Sequence, residues 1–338
     1  MEKFKLGDIC DFINGRAFKP SEWEKKGLPI VRIQNLNDEN AEFNFYSKDI
    51  EEKYIIDNNQ LLFSWSGTPG TSFGAFFWNR GKAVLNQHIF KIIPKIDINI
   101  EFLKYLLNGN LNTIISKSHG GVGLKHITKS ELEKIVVHIP EIKKQEYMVK
   151  TLNQTLEIIN NKKNQLKELD ILIKSQFVEM FEGEKYPKDE FINLSKEIYA
   201  GGDKPKDISR IKTEEYLFPV FANGYENEGL QGYSKNYRTK DESVTISARG
   251  TIGYSSIREG KFTPIVRLIT ITPNERVNVI YLKYAIDNIN IAGSGTSQAQ
   301  LTVPNVKKQK IIVPPIELQN QFAEIVKQID KQKFESVM

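Results

Sequence analysis

Between Glu141 and Phe181 the chain has neither proline nor glycine. Its apolar residues return at steps of three, four and seven: Val149, Leu152, Leu156, Ile159, Leu166, Leu169, Ile173, Phe177 and Met180. That spacing predicts a single long helix, because residues so spaced share one face. Lys162, Lys163, Asn164, Lys167, Glu168 and Asp170 fill the other face, so the helix is amphipathic and offers a packing stripe rather than a place in a core. Forty residues at a rise of 1.5 Å span about 60 Å. The stretch Pro315 to Met338 repeats the start of this stripe with Phe322, Ile325, Val326 and Ile329, and then stops, without a counterpart of Gln165 to Phe181. Elsewhere short apolar runs alternate with Gly, Asn and Pro, the pattern of an α+β globule. Four segments follow: a globule over 1–140, a long helix over 141–183, a second globule over 184–314 and a shortened helix over 315–338.

The two globules are copies. Ser64-Trp65-Ser66-Gly67-Thr68-Pro69-Gly70 matches Ser247-Ala248-Arg249-Gly250-Thr251-Ile252-Gly253 in the pattern SxxGTxG, each after an apolar strand. Phe90 to Pro94 then parallels Ile269 to Pro273, and IEFLKYLLN (Ile100 to Asn108) parallels VIYLKYAID (Val279 to Asp287). Glycine-rich segments follow at Ser118 to Thr128 and Ala292 to Thr302, then strands ending at Pro140 and Pro314 that lead into Ile-x-x-Gln, Ile142 to Gln145 and Ile316 to Gln319. Landmarks in one order, with offsets drifting only from 183 to 174 residues, mark a tandem duplication. The shrinking offsets place the divergence in the loops, which suggests two related ligands rather than one.

Composition excludes several classes. No apolar run is long enough to cross a bilayer, and Met1 to Cys10 does not read as a signal peptide, so the expected location is the cytoplasm. Cys10 is the only cysteine, which rules out an internal disulfide, and the four histidines lack cysteine partners at zinc spacing, so no metal is expected. The net charge of +5 becomes informative through its distribution: a surplus of two positive charges lies in 1–140 and four in 184–314. Basic globules fit a polyanion.

Taken in order, FKLGDICDFINGRAF, the SxxGTxG turn, LNQHIFKIIP, FLKYLL, GLKHITKSELEKIVVHIP and IKKQEYMVKTLNQ resemble the specificity subunits of type I restriction-modification systems, over essentially the whole chain and twice. The resemblance implies two α+β target-recognition domains, each reading one part of a split asymmetric site in double-stranded DNA. It also implies two long helices paired as an antiparallel coiled coil that docks two methyltransferase subunits, which in turn recruit restriction subunits. S-adenosylmethionine, ATP and Mg would then belong to those partners, and this chain would carry no cofactor and no catalytic site. The shortened second helix departs from that pattern. It predicts that Leu166, Leu169, Ile173, Phe177 and Met180 stay uncovered, so that the chain self-associates as a homodimer when the methyltransferase is absent.

The residues agree with a non-catalytic reading. No Asn-Pro-Pro-Tyr-like tetrapeptide accompanies a cofactor turn, the glycine clusters at Gly120 and Gly293 lack phosphate-loop spacing, and Pro140-Glu141 lacks the partner carboxylates of a nuclease. A stand-alone DNA-modifying enzyme and a scaffold or antirestriction decoy that does not read DNA are the rivals. Candidate DNA contacts are Asn14 and Arg16 in an opening turn, with Lys204 in the corresponding stretch of the second copy. The SxxGTxG turns add Ser64, Trp65, Ser66, Thr68, Arg249 and Thr251. Lys125, His126, Ser297, Gln298 and Gln300 come from the diverged glycine-rich loops, and Asn223 and Tyr225 complete the set. Hydroxyls and backbone amides suit phosphates, while Arg and Gln suit base edges. A purely structural turn, and a core role for Trp65, are the competing readings.

Overall fold

A computed structural model describes residues 2–68, 71–119, 125–183, 186–289, 291 and 300–337. The chain divides into two compact units, Met1–Ile159 and Asn160–Met338. The division falls inside the helix Ile142–Phe181, which runs without a break as the periodicity predicts.

In the N-terminal unit an antiparallel sheet orders its strands as Cys10–Asn14, Ile89–Pro94, Gln60–Ser64 and Gly74–Trp78. Its buried face carries Phe12, Leu61, Phe63, Phe90 and Ile92, and the helix Ile100–Gly109 closes this core with Phe102, Leu103 and Leu107. A second sheet contains one parallel pair, Leu28–Val31 with Ala83–Leu85. The C-terminal unit repeats the plan. Its main sheet runs Ser195–Ala200, Ile269–Pro273, Ser243–Ile246 and Ser255–Arg258, the helix Val279–Asn288 closes the core, and Phe218–Phe221 pairs in parallel with Thr263–Pro264. The structure thus bears out the duplication in the main sheet, the helix that closes it and the parallel pair.

The repeated Ile-x-x-Gln has a physical purpose. Gln145 is buried, its Oε1 accepts from Asn99 N at 2.9 Å and its Nε2 donates to Pro140 O at 2.8 Å. Gln319 does the same with Asn278 N at 2.9 Å and Pro314 O at 2.8 Å. Asn99 and Asn278 are in turn the N-caps of the short helices. Each glutamine therefore locks the start of a long helix to the start of a short one, satisfying backbone groups that burial would otherwise strand.

Within the C-terminal unit the stretch 160–181 pairs antiparallel with the helix Ile316–Val337. Phe322 meets Phe177 and Phe181 at 5.5 Å between ring centroids, and a turn or more away Lys333 Nζ lies 2.8 Å from Asp170 Oδ1. This pairing corrects the expectation of an open seam. Ile173 and Phe177 are only 1% and 3% exposed, and Leu169 and Met180 pack on the same core. Leu166 is half-buried. Their cover comes from Phe322, Val326 and Ile329, with Ile325 at the edge, and from Tyr281 and Tyr284 of the short helix. A seam closed within one chain gives self-association nothing to bind there. In the N-terminal unit Val149 is buried in the core, whereas Leu152, Leu156 and Ile159 are exposed.

Candidate nucleic-acid interface

Each unit brings the same four segments together at one end of its main sheet. In the N-terminal unit the opening turn lies against Asn86: Gly15 N donates to Ile89 O, Arg16 N donates to Leu85 O, and Arg16 bridges to Asn86. The backbones approach so closely that a Cβ on Gly15 would sit 2.1 Å from Asn86 O. The SxxGTxG turn joins them through Trp65 N to His88 O at 3.2 Å, and Ile127 N donates to Trp65 O at 3.1 Å. That last bond brings in Lys125 and His126, which pair with Gly67 and Ser66.

The C-terminal unit reproduces the junction. Gly201 N donates to Leu268 O, Gly202 bridges to Ile265, and Leu301 N donates to Ala248 O at 3.0 Å. Gly201 therefore stands where Gly15 stands, and Gly202 where Arg16 stands. Lys204, aligned with that turn by sequence, is exposed beyond it, and no hydrogen bond or ion pair among the described residues ties it to the other candidates.

The side chains on this shared frame differ. Trp65 is half-buried, its Nε1 donating to Asn14 Oδ1 at 3.0 Å and its ring stacked on Phe90 and edge-on to His88. It forms a wall anchored by Asn14 rather than a free wedge. Arg16 is held by Glu22 between the rings of Phe18 and Tyr46, at 4.8 and 4.9 Å, and its Nη1 is buried without a partner. Ser64 is buried and donates to Ser66 O, while Thr68 is exposed and its N donates to Ser72 Oγ. His88 is partly buried, and burial lowers its pKa, which keeps the ring neutral near pH 7. Beside His126, His119 bonds Glu131. The Thr128 hydroxyl first, and then His119, hold that carboxyl at about 2.

In the C-terminal unit Arg249 is exposed and its Nη2 donates to Gln300 Oε1 at 3.2 Å. Thr251 buries its Oγ1 without a partner. Asn223 spans two loops, accepting from Ala248 N and donating to Val266 O, both at 2.7 Å, while Gly224 N donates to Ser247 Oγ. Tyr225 is 61% exposed beside this clamp. Ser297 and Gln298 lie outside the described residues. Two features escaped the sequence reading. Arg258, 3% exposed, donates to Glu228 Oε2 and O and lies 3.8 Å from the Phe221 ring centroid, which pins the loop after Asn223. Arg267 occupies the position equivalent to His88, and nothing in the sequence pattern around it pointed to it.

This arrangement offers hydrogen-bonding and charged side chains at each junction. Burial pushes the Cys10 thiol up to about 12, so it stays protonated in the core. Among the described residues no cluster of histidine, cysteine and carboxylates could hold a metal, and no helix is long and apolar enough to cross a membrane.

Comparison with known proteins agrees with the duplicated frame. A putative type I specificity subunit from Mycoplasma pneumoniae is 26% identical over 334 residues, covering 95% of this chain and 86% of the relative. The EcoBI specificity subunit of Escherichia coli is 27% identical over 175 residues, covering 51% of this chain and 36% of the relative. The S subunit of a type I restriction-modification system from M. genitalium superposes with a TM-score of 0.56 at 14% identity, over 99% of this chain and 90% of that one, a likeness of fold. The model of the type I restriction modification DNA specificity domain matches twice, over residues 1–169 and 191–337. The chain therefore belongs to the type I restriction-modification DNA specificity family, whose members are non-catalytic specificity subunits.

Proposed function

We propose that each unit reads one half of a split site in double-stranded DNA, and that the chain docks methyltransferase subunits and, through them, restriction subunits. One observation carries this reading: the same four segments converge in both units but bear different side chains, Asn14, Trp65, Ser66 and His126 in one and Arg249, Thr251 and Gln300 in the other. A repeated frame with exchanged contacts suits two different half-sites. Leu152, Leu156 and Ile159 on the long helix offer an apolar surface for a docked subunit. S-adenosylmethionine, ATP and Mg then bind the partners, which perform the chemistry.

The complex of this chain with its methyltransferase subunits is expected to bind duplex DNA with a preference for one sequence that persists as salt rises, while non-specific affinity falls steeply. Binding of methyltransferase without any sequence preference would favour the decoy reading instead. Within that complex Arg249→Ala is expected to cost about 1–3 kcal/mol at one base position and to relax specificity there, because a guanidinium fork pairs with guanine and its counterpart Ser66 cannot. An unchanged motif and affinity in a binding titration would assign Arg249 to holding Gln300 alone.

A further inference from the structure

Val266 and Arg267 stand side by side in the left-handed backbone region, at φ 52° and 62°. A β-branched residue there is a genuine outlier, and such strain persists where the surroundings over-determine it. Three hydrogen bonds do so: Val266 N to Gly202 O at 2.8 Å, Arg267 N to Gly201 O at 3.0 Å, and Asn223 Nδ2 to Val266 O at 2.7 Å. Asn223 is itself fixed by Ala248 N on its other amide atom, and the loop it opens is pinned by Arg258 on Glu228. The first unit has no such strain at the equivalent Gln87 and His88; Asn59 is its one described non-glycine residue with positive φ.

The backbone of the strained turn is tied to the fold, but its side chains point away from it. Val266 is 47% exposed, Arg267 is exposed, and among the described residues no hydrogen bond, ion pair or ring engages the Arg267 guanidinium. Through the two ends of one Asn223 amide, the turn bearing Arg267 and the turn bearing Arg249 are set in fixed relation. We propose that Arg267 is a second guanine-reading residue of the C-terminal unit, acting beside Arg249, and that Asn223 is the residue that positions it. A planar fork on a backbone-defined turn matches the paired acceptors O6 and N7 of guanine, which a mobile surface arginine meets only at an entropic cost. The inference rests on the DNA-reading function proposed above.

The full chain, assembled with its methyltransferase subunits, is presented with randomised DNA duplexes, and the bound and methylated sequences are read. Arg267→Ala is expected to relax one guanine position of one half-site by about tenfold or more, with the other half-site and the melting temperature unchanged. Arg267→Lys keeps the charge and is expected to relax the same position. Asn223→Asp retains the acceptor for Ala248 N but loses the donor to Val266 O. It should relax that same position in the wild-type background and add nothing in the Arg267→Ala background, a non-additivity that general loosening of the fold would not produce. An unchanged motif overturns the proposal. So does a uniform loss of affinity with a salt slope smaller by about one, which would place Arg267 on a phosphate. A wild-type complex that selects no sequence at all would instead remove the DNA-reading function itself, and the inference with it.

Discussion

Ile173→Asp is expected to unfold the C-terminal unit, with a loss of about 4 kcal/mol or more, whereas Leu156→Asp on the same helical stripe is expected to change stability by less than about 1 kcal/mol. Ile173 is 1% exposed in a core that also holds Phe177, Phe181, Tyr281 and Phe322, so the substitution removes a buried aliphatic side chain and places a carboxylate among aromatic rings. Such a loss approaches the whole stability of an ordinary domain. Leu156 is 45% exposed, and an aspartate there keeps its water. Urea unfolding of the two variants, with light scattering on the wild type, checks this. An Ile173→Asp protein that unfolds like the wild type but loses a dimer would restore the open seam that the helical pattern predicts.

The pattern misleads at the seam for a definite reason. Periodicity shows that Leu166 to Met180 forms one apolar face, but not that Phe322, Val326 and Ile329 of the second helix cover it. The remaining cover comes from Tyr281 and Tyr284, on a helix whose own sequence reads as part of an ordinary core. Which element covers a face is a tertiary fact, and spacing along one helix does not contain it. The duplication was legible because strands and caps repeat with the residues that fold them: Gln145 and Gln319 recur in sequence because each satisfies the same buried backbone groups.

The grouping of the candidate residues was legible only in part. Asn14 meets Trp65 in the first unit and Arg249 meets Gln300 in the second, because each pair flanks the repeated turns. The clamp made by Asn223 joins residues 25 and 43 positions away, and comparison of the repeats hides it. After the matching strand Leu28–Val31 the first unit forms the short helix Ile33–Asn37, whereas the second forms the pinned loop of Asn223 to Gly229. Arg16 is less free than its turn suggests. Its turn looked like a presented arginine, yet Glu22, Phe18 and Tyr46 are close enough to hold it.

Two independent readers on one chain make the largest functional prediction. Residues 1–140 end just before the long helix, and Gln145, which locks that helix to Asn99 and Pro140, lies beyond the junction. A recognition domain from another family member that keeps an asparagine cap and a terminal proline can therefore replace 1–140 and still engage Gln145. In the exchanged complex every contact of the C-terminal unit, including Asn223, Arg249 and Gln300, is untouched, because those bonds close within that unit. Mapping methylated bases in the DNA of cells that carry the exchanged chain and its methyltransferase tests this directly. The expected result is a split motif in which one half is replaced completely and the other half stays as in the wild type. A motif that changes in both halves, or one that is not split, would contradict it.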